Sequence, residues 1–201
     1  MAANITCSSR GRGVTVGSPR AIDSELRTDR LVLRPPRAGD GPAVHAAVVE
    51  SLEALRAWPA SLPWALQAPS VDASEAFCRQ SDAAWTLRTA LTYLAFDAQG
   101  QLVVNCSLHT IQWELPKFEL GFWCRSSRTR QGYAAEACEA LVQYALEALG
   151  ARRIEALPDE ANTPSRAVCE RVGLQLEGIL RHERVTPEGQ LRNTCVYARI
   201  R

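Results

Sequence analysis

The pattern of hydrophobic and polar positions along the chain predicts strands that alternate with helices. Short apolar or alternating runs bounded by Gly, Pro, Asn or Asp are typical of strands. Seven such runs predict strands, over residues 26–33, 91–96, 102–111, 118–124, 154–157, 174–185 and 191–200. Tight turns at 97–100 and 187–189 join neighbouring runs, so part of the sheet is a meander.

Helical periodicity fills the intervals between these strands. Asp40 can cap a helix that has Pro42 in its first turn, and a second helical segment is predicted over 51–58. Further helices are predicted from 72 or 74 to about 88, over 131–149 and over 164–172. Gly150 and Gly173 are the expected stops of the last two.

Strands that precede and follow crossover helices imply a mixed sheet, so we expect an α/β or α+β fold. A length of 201 residues suits one domain, which we place at 25–201. Residues 1–24 are rich in Gly, Ser and Pro and are predicted to be a flexible tail. Its arginines could contact nucleic acid, but solvation is favoured for Arg10, Arg12 and Arg20.

Composition narrows the functional classes. A hydrophobic content of 46% with 22% charged residues is typical of a globular domain, and the net charge of +1 argues against nucleic-acid or membrane-surface partners. No apolar run approaches the roughly 18 residues of a spanning helix, so we expect a soluble protein. The seven scattered cysteines favour a reduced, cytoplasmic protein, and neither they nor the three histidines have zinc-site spacing, so no metal is expected.

The segment 118–137 carries the most chemical information, because a strand leads through a basic loop into a helix start. A helix N-terminus leaves backbone N–H groups unpaired and has a positive dipole end, which together favour an anion. Arg125, Arg128 and Arg130 add positive charge, and Gly132 keeps the approach to the backbone open. A short Gly loop before a helix is also typical of a plain turn, so both interpretations stay open.

Three motifs in order along residues 26–201 narrow this choice. They are ELGFW at Glu119–Trp123, QGYAAEA at Gln131–Ala137 and NTPSRAVCERVGL at Asn162–Leu174, with further similarity at Leu176–Arg181. Together they resemble the GCN5-related N-acetyltransferase (GNAT) superfamily, and within it the RimJ/RimL type of protein N-terminal acetyltransferase.

The resemblance implies a mostly antiparallel mixed sheet, flanked by helices, whose fourth and fifth strands splay apart to hold acetyl-CoA. The diphosphate would lie on the amides of residues 130–134. Thr129 occupies the first position of the family's Gln/Arg-x-x-Gly-x-Gly/Ala pattern, so Arg128 or Arg130 would substitute there. The cofactor-binding residues that it implies are Trp123, Arg128, Arg130, Gln131, Gly132, Tyr133, Ala134, Asn162 and Ser165.

The same resemblance suggests the catalytic groups. Glu119 is the expected general base, acting through water, although a strand carboxylate in a surface ion pair is the alternative. Many members use a tyrosine as the acid where this chain has Cys169, so Ser165 is the expected acid. Cys169 is expected to be a buried side chain rather than a nucleophile. Asn162 and Ser165 also suit plain helix capping, and His109 could either assist proton removal or simply be packed.

The implied activity is transfer of acetyl from acetyl-CoA to a primary amine by direct attack, with a protein N-terminus, such as a ribosomal protein's, as first acceptor. The alternatives are a small amine (polyamine, amino acid or aminoglycoside) and a non-catalytic acyl-CoA-binding module. Trp58 and Trp64, near the variable acceptor region 51–74, are either loop anchors or pocket walls. A homodimer is expected by analogy only.

Overall fold

Eight strands in one sheet carry the fold of residues 21–201, the part of the chain that the computed structural model describes. In chain order the strands are β1 (Leu26–Arg27), β2 (Val32–Arg34), β3 (Leu91–Phe96), β4 (Leu102–Gln112), β5 (Lys117–Cys124), β6 (Arg153–Ala156), β7 (Gln175–Val185) and β8 (Leu191–Ile200). Their order across the sheet is β1-β2-β3-β4-β5-β6-β8-β7.

Four α-helices and two short 3-10 turns connect the strands. The helices are α1 (Gly41–Arg56), α2 (Val71–Thr86), α3 (Tyr133–Glu147) and α4 (Thr163–Arg171), and the 3-10 turns are Pro63–Leu66 and Ser126–Arg128. The tail predicted over 1–24 lies outside the described residues as far as residue 20. Beyond that point Ile22 packs on the core, and the Asp23 carbonyl accepts a hydrogen bond of 2.7 Å from the Tyr93 hydroxyl.

The predicted strands are confirmed to within one residue, except the first. The run over 26–33 is two strands rather than one, because Thr28 turns the chain: its hydroxyl accepts from the N–H of Leu31 at 3.0 Å. The two helical segments predicted before residue 58 are the single helix α1, since nothing between Gly41 and Arg56 interrupts its backbone. Helix α2 starts earlier than predicted, because the hydroxyl of Ser70 caps it.

The sheet parts at its centre. Strands β5 and β6 are parallel and pair only from Lys117 with Arg153 to Glu119 with Glu155, whereas every other neighbouring pair in the sheet is antiparallel. Beyond Glu119, β5 continues to Cys124 with β4 as its only partner strand among the described residues. Because the first predicted strand is two strands, the predicted fourth and fifth strands are β5 and β6, and the mixed sheet in which they splay apart is confirmed.

The two faces of the sheet are covered by different helices. Helices α3 and α4 bury the larger core, in which Phe118, Leu141 and Ile154 are fully enclosed. Helices α1 and α2 cover the opposite face through a smaller cluster that includes Ala47 and Leu94. Within residues 21–201 no helix is both long and apolar enough to cross a bilayer.

Candidate active site

The N-terminus of α3 forms one end of the site. Gly132 precedes the helix with a φ of +83°, a left-handed conformation that favours glycine, and it provides no side-chain cap. The first N–H groups of a helix have no acceptor within the helix itself. Those of Tyr133 and Ala134 therefore combine with the helix dipole to form a place for an anion, as the sequence predicts.

Arg30, from the turn between β1 and β2, holds this helix start in place. Its guanidinium lies 4.4 Å from the centre of the Tyr133 ring and donates to the carbonyl of Gln131 at 3.0 Å and to Glu136 at 2.6 Å. Burial alone would raise the pKa of Glu136, but hydrogen bonds from Thr28 and Arg30 hold it below its usual value. Sequence reasoning missed Arg30, because about a hundred residues separate it from its partners.

The loop before α3 is fastened to α1. Glu50 accepts from the N–H of Ser127 at 2.9 Å and from Arg125 at 2.6 Å, and the hydroxyl of Ser51 accepts from the N–H of Ser126 at 3.0 Å. Hydrogen bonds from Ser127, joined by Arg125, lower the pKa of Glu50 to about 2. The carboxylate is therefore charged at neutral pH and fixes the loop that leads to the helix.

The arginines predicted to bind phosphate are placed differently from one another. Arg128 donates to Gln101 at 2.7 Å and lies 3.3 Å from Asp97, so it is held by the turn between β3 and β4. Arg130 has a φ of +60°, is exposed and has no charged partner among the described residues. Gln131 donates through its amide to the Ser127 carbonyl at 2.9 Å, which closes the loop on itself. Arg130 is thus the better-placed cation for an anion at α3.

A narrow cleft of about 190 Å³ occupies the gap between β5 and β6, and we call it the central cleft. Asn162 and Ser165 line it at the start of α4, together with Leu120 and Ala156. The side-chain oxygen of Asn162 accepts from the N–H of Ser165 at 3.1 Å, so the capping interpretation is correct for that oxygen. The side-chain amide nitrogen of Asn162 and the Ser165 hydroxyl have no partner among the described residues and are available to a ligand.

Cys169, one turn further along α4, is fully buried. Burial raises the pKa of its thiol to about 12, so the thiol is protonated at neutral pH. The thiolate that a nucleophile would need is therefore not formed. The expectation of a buried, non-nucleophilic Cys169 is consistent with this placement.

Glu119 lies at the inner end of the central cleft, where pairing between β5 and β6 stops. The hydroxyl of Thr110 donates to its carboxylate at 3.1 Å, and the Nδ1 atom of His109 lies 3.1 Å from the same hydroxyl. A hydroxyl has one proton to give, so Nδ1 of His109 is the donor in its contact with Thr110. His109 is therefore linked to Glu119 through Thr110, and its part in proton removal stays a prediction.

A bulge in β4 creates this arrangement. The register of β4 against β5 shifts between His109 and Gln112, and Thr110 has a φ of +51°, which is strained for a β-branched residue. The imidazole then lies directly over Gly121, where an added Cβ would stand 2.8 Å from Nε2. Only glycine at position 121 leaves room for the ring in this place.

A second, wider space of about 640 Å³ opens beside the central cleft, between β5, α1, α2 and the turn Pro63–Leu66. We call it the lateral cavity; it shares His109, Gly121 and Phe122 with the central cleft. Trp64 and Trp123 line it with ring centres 6.3 Å apart. The ring of Trp123 thus lies on the side of α1 and α2, and its contact with the cofactor stays a prediction. Trp64 lines this cavity and Trp58 the central cleft, which favours the interpretation as pocket walls.

Apart from Arg128, which the turn between β3 and β4 holds, the predicted residues fall into three groups. Residues 130–134 gather at the α3 terminus, Glu119, Asn162 and Ser165 meet in the central cleft, and Trp123 joins the lateral cavity. No group of three or more His, Cys, Asp or Glu side chains suited to a metal ion occurs among residues 21–201.

Comparison with known proteins identifies the family to which the chain belongs. The sequence model of the family described as acetyltransferase (GNAT) domain matches residues 30–175, well over half of the chain. YdaF of Bacillus subtilis (strain 168), named as a candidate ribosomal N-acetyltransferase, is 35% identical over 79 residues, which make up 39% of this chain and 43% of YdaF. The chain spans about half the length of the curated relatives that it matches.

Solved structures extend the likeness over most of the fold. RimJ from Mycobacterium smegmatis, in complex with CoA-disulfide, has a TM-score of 0.75 and 26% identity, and the match covers 85% of this chain and 81% of RimJ. RimL, a ribosomal L7/L12 α-N-protein acetyltransferase solved with coenzyme A, has a TM-score of 0.79 and 22% identity, with 88% and 97% covered. At that identity the likeness to RimL is evidence for the fold alone.

Proposed function

Because the chain belongs to the GNAT acetyltransferase domain family, we propose that it transfers an acetyl group from acetyl-CoA to a primary amine in a ternary complex. The observation that carries the proposal is the parting of β5 and β6 beyond Glu119. The gap holds a cleft with Glu119 at its inner end, and the uncapped N-terminus of α3 follows β5 along the chain. These are the two features that an acyl donor with a diphosphate and an amine acceptor require.

The residues present fit acetyl-CoA. The N–H groups of the first turn of α3 and the side chain of Arg130 would hold the diphosphate. The free side-chain amide of Asn162 would donate to the pantetheine arm, and a cleft of about 190 Å³ suits a slender chain. The thioester would then lie near Ser165 and Glu119.

Glu119 is the proposed base for the acceptor amine. An amine with a pKa of about 8 to 10 is mostly protonated at neutral pH and must lose a proton before it can attack. The side chain of Glu119 is 19% exposed, which permits proton transfer through a water molecule. Thr110 and His109 fix its orientation through the hydrogen bonds described above.

Attack of the neutral amine on the thioester carbonyl forms a tetrahedral intermediate with a charged oxygen. A backbone N–H of β5 past Glu119, where β6 no longer covers the strand, is the proposed donor to that oxygen. Collapse breaks the C–S bond, and the hydroxyl of Ser165 is the proposed proton donor to the departing thiolate. The attacking nitrogen must lose a second proton to become an amide, and that proton would restore the Ser165 hydroxyl.

The first candidate acceptor is a protein N-terminus, since YdaF is named as a candidate ribosomal N-acetyltransferase and RimL as a ribosomal L7/L12 α-N-protein acetyltransferase. A small amine is the second candidate, supported by a lateral cavity large enough to enclose one. We place the protein in the cytoplasm, which its free cysteines support, and a homodimer stays a proposal by analogy.

The test uses the full chain with acetyl-CoA and a panel of amines. Acetyl-CoA at about 100 times its dissociation constant should stabilise the fold by roughly 2.7 kcal/mol, which is visible as a melting shift. Free CoA thiol should then appear when amines are added, with the acetylated product identified by mass. A melting shift without thiol release would support the acyl-CoA-binding module, and the absence of a shift would contradict both proposals.

A further inference from the structure

The lateral cavity is lined mainly by apolar side chains with uncharged polar ones such as Ser74, Thr92 and Ser107 between them, and the described residues of its lining include no carboxylate. Its aromatic lining consists of Trp64, Phe77, Phe122 and Trp123, and α1 and the following loop add aliphatic side chains. Among the described residues that line it there is no Asp, Glu, Lys or Arg, and His109 is its one titratable group. A second positive charge brought into this space would lose its hydration without gaining a carboxylate partner, which is costly.

Trp64 indicates where a ligand would make contact. Its side chain is 44% exposed although it stands against Trp123 at a tilt of 46°. An exposed aromatic face at the wall of a cavity is the kind of surface that a ligand covers.

From these two observations we infer that the acceptor carries a single amine on an uncharged, aromatic or bulky apolar body, and that this body fills the lateral cavity. The inference rests on the proposed acetyl transfer. The amine reaches Glu119 beside His109, which lines both spaces. Polyamines and aminoglycosides are disfavoured, because each brings additional charges. The same chemistry can come from a small molecule or from a peptide whose first residue is aromatic.

Matched amines test this inference. Phenylalaninamide and glycinamide differ only in the benzyl group, so we expect kcat/KM to be at least about ten times higher for phenylalaninamide, and also higher than for spermidine. Two peptides that differ only in a first residue of Phe or Gly distinguish a peptide source from a small molecule. Equal or better use of spermidine or glycinamide would overturn the inference while leaving the proposed acetyl transfer intact.

Substitutions test whether the preference for phenylalaninamide arises in the lateral cavity. Trp64→Ala should lower kcat/KM for phenylalaninamide about ten-fold with little change for glycinamide, and Trp64→Phe should restore most of it. Leu87→Ala, an equally apolar truncation at a side chain 72% exposed outside the cavity, should change neither. Gln80→Glu, which adds a carboxylate at an exposed position of the wall, should improve the use of spermidine several-fold.

A binding measurement keeps the inference testable without turnover. Tryptophan fluorescence should report saturable binding of phenylalaninamide in the presence of CoA, and Trp64→Phe should change the signal. If no amine releases thiol, the proposed transfer fails. Should phenylalaninamide nevertheless bind more tightly than glycinamide and spermidine, the cavity assignment holds; if it does not, the assignment fails as well.

Discussion

The two ends of the site are built by different means. At the α3 terminus the groups proposed to face the ligand are backbone N–H groups, presented by a left-handed glycine and a tight loop over a few consecutive residues. At the lateral cavity the groups are side chains, drawn from positions between Val44 and Trp123 by the packing of α1 and α2 on the sheet. Backbone N–H groups do not depend on which side chains are present, so the α3 terminus suits a ligand that a whole family shares. The lateral cavity is made of side chains, so substitutions can change the ligand that it accepts.

Glu119 lies between the two ends, so its removal should separate catalysis from binding at either one. Glu119→Gln keeps the shape of the side chain but cannot take a proton. We expect kcat to fall about 100-fold or more, with the dissociation constant of acetyl-CoA unchanged. Thiol release and a melting titration measure the two quantities.

Glu114→Gln is the matched control, because Glu114 is an exposed carboxylate in the turn just before β5. It should leave both quantities unchanged. An unaltered kcat in Glu119→Gln would assign the proton to another group, with Nε2 of His109 as the next to examine.

Gly132→Ala should weaken ligand binding at the α3 terminus and leave the lateral cavity unchanged. A side chain at a φ of +83° is strained by about 1–2 kcal/mol, and relief of that strain moves the N–H groups that face the diphosphate. We expect acetyl-CoA to bind about ten times more weakly.

Gly189→Ala is the control for this change, because Gly189 has the same φ of +83° in the turn between β7 and β8 and open space around it. It should lower the melting temperature similarly and leave acetyl-CoA affinity intact. Weaker binding in both variants would show a general loss of stability instead.

Glu50→Gln tests whether the two ends are independent, since Glu50 belongs to α1, which walls the lateral cavity, yet holds the loop before α3. Loss of its charge should weaken acetyl-CoA binding about three-fold, the smallest of these effects. Glu53→Gln on an exposed face of the same helix should have no effect.

The pH dependence of this contact has a defined sign. The pKa of Glu50 is lowered in the fold from 4.5 to about 2, so its stabilising effect is complete above about pH 4.5 and is lost as the pH falls toward 2. The melting difference between wild type and Glu50→Gln should shrink over that interval. A difference that stays constant there would contradict the assigned ion pair.

The α3 terminus was also easier to predict from the sequence than the lateral cavity. Gly132, the stop signals and the strand runs act through local conformational preferences, so the strands and the start of α3 followed from the pattern of residues. The division of 26–33 into two strands did not, because it depends on the hydroxyl of Thr28 rather than on hydrophobicity. Local preferences therefore located α3 and the left-handed glycine before it, and the anion site stays a prediction.

The site residues that sequence analysis missed make contacts between distant parts of the chain. Arg30 contacts Glu136, and Glu50 contacts Arg125, only once the chain has folded, and no motif near either residue indicates its partner. Trp123 was assigned to the cofactor from its motif. Alternation along β5 puts its ring on the same face as Glu119, where it lines the lateral cavity, and its contact with the cofactor stays a prediction. The bulge that brings Thr110 to Glu119 is likewise a property of strand pairing.

The parting of β5 from β6 has a cost for the empty protein. Between Leu120 and Cys124 the side of β5 that faces away from β4 has peptide groups without a partner strand, and such an inner edge accepts extended chains, including those of neighbouring molecules. The pantetheine arm, with its two amides, is itself an extended chain of this kind. The acyl donor would thus complete the sheet as well as react in it, and protein stored without it should aggregate sooner than protein stored with it.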